Sequence, residues 1–302
     1  MSTLYGIPYM GSKTKIAVDI LRQLPKGNRF VDLFGGGFAM THAAMLTKRY
    51  NCFLYNDYNP LIVKLVEDAY HGKYNYSRFK PEFITRKQYE ARYKNDGYVS
   101  YIWSFGNNPE KGYMFGEDIE ALKHAAHDYV VFGKLDNKLN QIAPQLRKAV
   151  TSKNIGKRRE QFCAWCRSNK KRFDLQNLEA IERLQQLEQL LRLERLQQLE
   201  RLERLQQLER FIIFNCGSYT DYEYQEGDVV YCDPPYESAT GYSGGFNHKA
   251  FYDWVASRPY QVWFSSYKIT DKRFRMVWAK RVTTCLGTNN NAQRYECLYT
   301  NR

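Results

Sequence analysis

The four residues Asp233-Pro234-Pro235-Tyr236 follow directly on the apolar run Val229-Val230-Tyr231-Cys232. That run reads as a buried strand. Two successive prolines cannot continue a sheet ladder, because each lacks a backbone N–H and fixes its own φ, so the chain must leave the sheet at Asp233 in a rigid turn. In an α/β sheet, groups carried just past the carboxyl ends of strands sit where ligands bind. Such a turn gathers a carboxylate, a backbone carbonyl and an aromatic face in a small space. A plain polar turn could share these four letters, so their meaning depends on what accompanies them.

The first 70 residues supply that company. Residues 13–24 have a short helical pattern stopped by Pro25-Lys26-Gly27, residues 29–34 (RFVDLF) read as a buried strand, and 39–49 as a helix. Residues 52–55 form a second strand pattern ending at Asn56-Asp57, and 60–70 open another helix, which completes a β-α-β unit. Within it, Asp32-Leu33-Phe34-Gly35-Gly36-Gly37 joins strand to helix through glycines, the setting in which a backbone can approach a nucleotide-like ligand closely. Asp57 ends the next strand, about 20 residues on, where an acid can accept from ribose hydroxyls; it could equally cap the helix that begins near Pro60.

The sheet pattern returns only at residues 228–232 and 261–265, so the polar, aromatic middle of the chain reads as an insertion. It contains helical stretches near 86–94 and 118–130. Lys and Arg number 45 against 32 Asp and Glu, a formal charge of +13, and a surplus of that size points to a polyanionic partner. The excess is concentrated at Arg147, Lys148, Lys153, Lys157, Arg158 and Arg159 and continues to Arg172, with Glu160 the single acid and Phe162 and Trp165 interleaved. Cations for phosphates and rings for bases would suit a nucleic acid face, whereas the plainer reading is a solvated basic helix.

Seven scattered cysteines and the absence of an apolar leader predict an intracellular chain without disulfides. No apolar run reaches the roughly 18 residues of a membrane span. Cys163 and Cys166 have no second pair or histidine at ligand spacing, so no metal is expected.

Residues 175–211 are of another kind. An apolar residue recurs at every third position from Leu175 to Phe211, and the block LERLQQLER repeats almost unchanged. The residue types favour helix. On an α-helix of about 3.6 residues per turn, however, a strict step of three carries the leucines around every side. A helix of that pattern needs several neighbours or a second subunit, and self-association is the expectation.

With these residues assembled, the sequence resembles the Dam-type, D12 class adenine-specific DNA methyltransferases. Tyr9-Met10-Gly11-Ser12-Lys13 is similar to the family's N-terminal cofactor motif, VDLFGGG to its glycine motif, Asn56-Asp57 to its ribose-binding acid, and DPPY to its catalytic motif. Their order matches the alpha group, in which target recognition lies between the glycine motif and DPPY. Residues 102–107 (IWSFGN) resemble a segment of phage and bacterial members. The chain departs from the family pattern at Phe38, where another glycine is usual.

The resemblance implies a Rossmann-like α/β core at 1–70 and 212–302, a helical target-recognition insert at 71–174 and the leucine repeat at 175–211. It implies S-adenosylmethionine as cofactor, DNA as partner and the cytoplasm of a bacterium or phage-infected cell as location. Tyr9, Lys13, Asp32, Phe34, Gly35, Gly36, Gly37, Asp57, Asp221, Tyr222 and Asp233 would bind the cofactor. Asp233 and the Pro234 carbonyl would receive the hydrogens of an adenine amine, Pro235 would complete the turn, and Tyr236 would stack on a base flipped out of the duplex. Methylation of cytosine N4, or a DNA-binding or assembly protein on the same fold without turnover, are the alternatives.

Overall fold

The computed structural model describes residues 5–75, 79–173, 193–237, 245–283 and 293–302. The chain divides into two compact units, one made of 1–71 with 201–302 and the other of 72–200.

The first unit is built on a seven-stranded sheet of order β3-β2-β1-β4-β5-β7-β6. Its strands are β1 (Arg29–Asp32), β2 (Cys52–Asp57), β3 (Phe211–Cys216), β4 (Asp228–Cys232), β5 (Val262–Ser266), β6 (Arg275–Thr283) and β7 (Gln293–Thr300). The first five are parallel, while β7 runs antiparallel to both β5 and β6. Side chains alternate across the sheet. One face carries Val31, Val230, Cys232, Val262 and Phe264 against Phe251, Trp254 and Val255 of helix α10 (His248–Ser257). On the other, α1 (Ala17–Gln23), α2 (Ala39–Met45) and α3 (Pro60–Tyr70) cover rings such as Tyr55 and Phe214.

The chain leaves β1 toward β2 and β3 on one side and returns to β4 and β5 on the other. Strand order therefore reverses between β1 and β4, and the region past their carboxyl ends is where folds of this kind hold their ligand crevice. At the opposite ends these two strands are clamped by a part-buried bidentate pair whose carboxylate is out of solvent. Arg29 Nε and Nη2 donate to Asp228 Oδ1 and Oδ2 at 2.8 and 2.7 Å, and the Tyr222 hydroxyl donates to the same carboxylate.

The second unit is helical, with α4 (Arg86–Arg92), α5 (Glu117–Phe132), α6 (Asn137–Ile142), α7 (Leu146–Ala149) and α8 (Ile155–Phe173). Residues 175–192 of the repeat lie outside the described residues. Its remainder forms α9 (Leu193–Glu203) and then a 3₁₀ turn, Arg204–Leu208. At about three residues per turn a 3₁₀ helix keeps every third residue on one face, which answers the spacing problem locally. Leu202 and Leu205 are buried, the turn packs against α2 and α3, and Gln206 Nε2 donates to the Tyr70 carbonyl at 2.7 Å. The end of the repeat is thus built into the first unit. Its last residue by spacing, Phe211, is the first of β3.

Removing one partner from a buried ion pair strands the other charge, at a cost of about 3–5 kcal/mol. Asp228→Ala is expected to lower unfolding free energy by that amount in urea titrations. The double replacement Arg29→Met with Asp228→Leu should recover most of it.

Candidate active site

Three acids reach the crevice because each closes or follows a parallel strand: Asp32 from β1, Asp57 from β2 and Asp233 after β4. The N-terminal segment is laid across the glycine turn. Ile7 N–H donates to the Gly37 carbonyl at 2.8 Å, and Gly6 N–H to Nδ1 of buried His42 at 2.9 Å. Burial lowers the His42 pKa to about 4, so the ring stays neutral and can accept.

The glycines are small for a reason internal to the protein. A Cβ on Gly35 would fall 2.2 Å from the Tyr55 ring, and one on Gly37 would fall 2.4 Å from Cβ of Tyr9. Tyr9 and Tyr55 thus pack on the turn, and the Tyr55 hydroxyl donates to the Gly36 carbonyl at 2.7 Å. The turn ends at Phe38, which adopts φ 69° as N-cap of α2. That left-handed geometry costs a residue bearing a Cβ about 1–2 kcal/mol. The Phe38 ring, fully buried edge-on to Tyr55 and beside Phe214, offsets the strain.

Asp57 accepts from Gly36 N–H at 2.8 Å and from Asn59 N–H at 2.9 Å, and burial raises its pKa. The helix cap is Asn59, so Asp57 braces the glycine turn and keeps lone pairs for a further donor. Tyr58, which follows it, is 80% exposed and carries no sequence signal beyond its place after the acid. Asp32 accepts from the Thr41 hydroxyl at 2.8 Å through Oδ2, while its buried Oδ1 has no hydrogen-bond partner among the described residues. Burial pushes its pKa up to about 7. Phe34 stacks on Tyr219 and meets Phe246 and Phe251 edge-on, forming an aromatic wall beside β1.

Around Asp233 the packing is tighter. Lys13 Nζ lies 2.7 Å from Asp233 Oδ2 and 4.8 Å from the centre of the Tyr236 ring. Burial raises the Asp233 pKa to about 6 against the opposing pull of Lys13. His248 Nε2 donates to the Pro235 carbonyl at 2.7 Å, fixing the turn on α10.

The fold does not bring every candidate together. Asp221 caps the turn that starts at Ser218, near Gly217 and the end of β2. Tyr222 commits its hydroxyl to Asp228 at the far end of β4, which separates it from the crevice. In the second unit, Arg147, Lys148, Lys153 and Lys157 are exposed, whereas Arg158 and Arg159 are half-buried. Arg158 Nη2 donates to the Val131 carbonyl in the last turn of α5, and burial lowers its pKa, so it closes a helix end. Phe162 and Trp165 are buried and build this unit's core, which overturns their reading as a stacking surface. Cys163 and Cys166 are buried as well. No group of three or more His, Cys, Asp or Glu able to hold a metal occurs among the described residues.

A parallel sheet that reverses between β1 and β4 and ends in an antiparallel strand pair, with acids at its carboxyl edge, has the Rossmann-like architecture of methyltransferases. Residues 9–258 match the sequence model of the D12 class N6 adenine-specific DNA methyltransferases, and the chain belongs to that family. No curated protein matches it. The chain is an enzyme that methylates adenine N6 in DNA. Nothing favours the cytosine or non-catalytic alternatives. No helix among the described residues is long and apolar enough to cross a membrane.

Asp32 gives a pH signature. The folded protein holds its proton up to about pH 7, whereas an unfolded aspartate releases it near 4. This group's contribution to stability is therefore full below about pH 4, declines as pH rises toward 7, and is level above that. Asp32→Asn should remove the decline, so the urea midpoint difference between variant and parent should grow in the variant's favour from pH 5 to pH 8.

Proposed function

We propose that the methyl donor is S-adenosylmethionine, that the adenine is flipped out of the duplex to reach it, and that the crevice residues divide the work. The observation that carries this reading is Asp233, a half-buried carboxylate at the reversal point of the sheet, paired with Lys13 and with the Tyr236 ring beside it. The chain's own residues suit the donor. Asp32 Oδ1 is a buried acceptor of the kind an ammonium group donates to, Asp57 retains capacity for ribose hydroxyls, and the Phe34 wall and the exposed Tyr58 ring offer faces for a nucleoside. Tyr9, Gly35, Gly36 and Gly37 shape the floor, and Asp221 stands at its β2 side. Tyr222 is left out, because its hydroxyl is spent elsewhere. The bound donor supplies an electrophilic methyl on a sulfonium.

The amine of adenine is a weak nucleophile because its lone pair is delocalised into the ring. Asp233 and the Pro234 carbonyl accept its hydrogens, which returns the lone pair to nitrogen and stabilises the positive charge that grows there during attack. Tyr236 stacks on the flipped base and offsets part of the lost duplex stacking. Lys13 occupies Asp233 Oδ2 beforehand and must yield to the amine. The enzyme acts on DNA in the cytoplasm, with phosphates held by Arg147, Lys148, Lys153, Lys157 and Arg159. Self-association through the 175–211 repeat would not use Leu199, Leu202 and Leu205, which are buried within the chain.

Asp233→Ala should abolish transfer of labelled methyl to DNA while S-adenosylhomocysteine still binds; parent-like turnover would remove Asp233 from the reaction. Because an acceptor must be ionised, turnover of the parent should fall as pH drops through about 6. Tyr236→Ala should cost about 1–3 kcal/mol in transition-state stabilisation through lost stacking.

The basic surface is tested by salt. Replacing Lys148, Lys153 and Lys157 by Gln should weaken binding to all DNA sequences and reduce the slope of log affinity against log salt by about 0.9 for each phosphate no longer neutralised. Arg158→Gln should instead lower stability, as expected of a residue that closes α5.

A further inference from the structure

The Asp233 cluster has a fourth member. Glu296 lies on β7, beyond the segment matched to the family, and only 6% of it is exposed. Because β7 runs antiparallel to β5, its amino-terminal half lies beside the carboxyl end of β5, with Cys297 opposite Ser266. Cys297 and Tyr299 face α10, so the intervening alternation turns Glu296 to the face of α1 and the Lys13 segment. Its Oε1 accepts from the Tyr236 hydroxyl and stands 3.4 Å from Lys13 Nζ.

Two features of the arrangement matter for Asp233. The Tyr236 hydroxyl has one proton and two carboxylates within reach, Asp233 Oδ1 at 3.2 Å and Glu296 at the shorter distance. Glu296 therefore draws that proton away and leaves Asp233 Oδ1 open as an acceptor. Lys13 likewise has two anions, so it can shift from Asp233 toward Glu296 without becoming a buried unpaired charge, which would be costly. The cation directly across the sheet does not compete. Lys280 pairs with Glu296 in the β6 register, yet its Nζ donates to Asp19 of α1 at 2.6 Å.

We propose that Glu296 is a positioning residue of the active site, holding the Tyr236 hydroxyl and providing Lys13 with a second anion so that Asp233 is released to receive the adenine amine. The proposal rests on the reading of Asp233 and Tyr236 given above. Asp233 is faced by Lys13 from the segment before α1, Tyr236 from the turn after β4, Tyr231 from β4, Asp32 from β1 and Glu296 from β7. Of these, Glu296 is the acid whose replacement leaves the strand ends intact.

The test uses the full chain, duplex DNA and labelled S-adenosylmethionine, with Glu296→Gln, Tyr236→Phe and the double variant. Glu296→Gln removes charge at nearly constant shape. It should lower kcat at least tenfold, leave S-adenosylhomocysteine affinity within about twofold, and move the acid limb of the turnover profile to lower pH, because a negative charge beside Asp233 is gone. Tyr236→Phe keeps the ring and should lower kcat several-fold. The double variant should fall well short of the product of the two single losses, since Glu296→Gln weakens, by removing the acceptor's charge, the same hydrogen bond that Tyr236→Phe removes. Parent-like kcat and an unmoved acid limb in Glu296→Gln would overturn the proposal. So would full multiplicativity with Tyr236→Phe, and the latter variant carries the test if Glu296→Gln does not fold. Failure of the underlying reading shows separately, as turnover surviving in Asp233→Ala.

Discussion

The pairing of β1 with β4 is the constraint on which the site depends. Two parallel strands that come from distant parts of the chain and sit side by side must deliver whatever follows them to one place, and here they deliver the glycine turn and the Asp233 turn. The Arg29–Asp228 pair fixes the register at one end. At the other, Leu33 N–H donates to the Tyr231 carbonyl at 3.0 Å, so the ladder persists until the prolines end it. The chemistry thus begins where backbone hydrogen bonding stops.

The electrostatics of the crevice follow from crowding acids into a buried space with few cations. Asp32, Asp57 and Asp233 are all pushed upward by burial, and Lys13 is the cation set among Asp233 and Glu296. The site is therefore short of positive charge. On the proposed function, a ligand carrying a sulfonium and an ammonium group, or an amine becoming cationic in a transition state, would relieve that shortage, so the same imbalance would serve binding and catalysis.

Much of this was legible in the sequence because it is local. Asp32, Asp57 and Asp233 stand at the ends of apolar runs, and a strand end can be read from a few letters; β4 and α3 fall where the pattern places them. Glu296 was not legible, since its role arises from the register of an antiparallel strand that only the folded sheet defines. An acid between Tyr295 and Cys297 in a strand-like run was the one available signal. Strand β3 was hidden because Phe211 also satisfies the every-third spacing of the repeat. Strand β6 is a largely exposed edge, and its apolar run Met276-Val277-Trp278-Ala279, set between Arg275 and Lys280-Arg281, shows no alternation that would mark it as a strand. Conversely, Phe162 and Trp165 looked like a stacking surface because composition carries no information about which way a helix faces.

The interruption of the first unit's sequence by the second also bears on how the protein is made. Strands β1 and β2 are complete by residue 57, but their outer neighbours begin at 211 and 228. At ribosomal rates of about 5–20 residues per second, that gap is on the order of ten seconds. During that interval β1 and β2 have only each other to pair with; α1, α2 and α3 cover one face, while the face that α10 covers in the finished sheet and both outer edges stay open. The helical unit emerges meanwhile with its own core. The central pair of the sheet, β1 with β4, thus forms only after the helical unit that separates them in sequence has been made, and the Asp233 turn waits on that pairing.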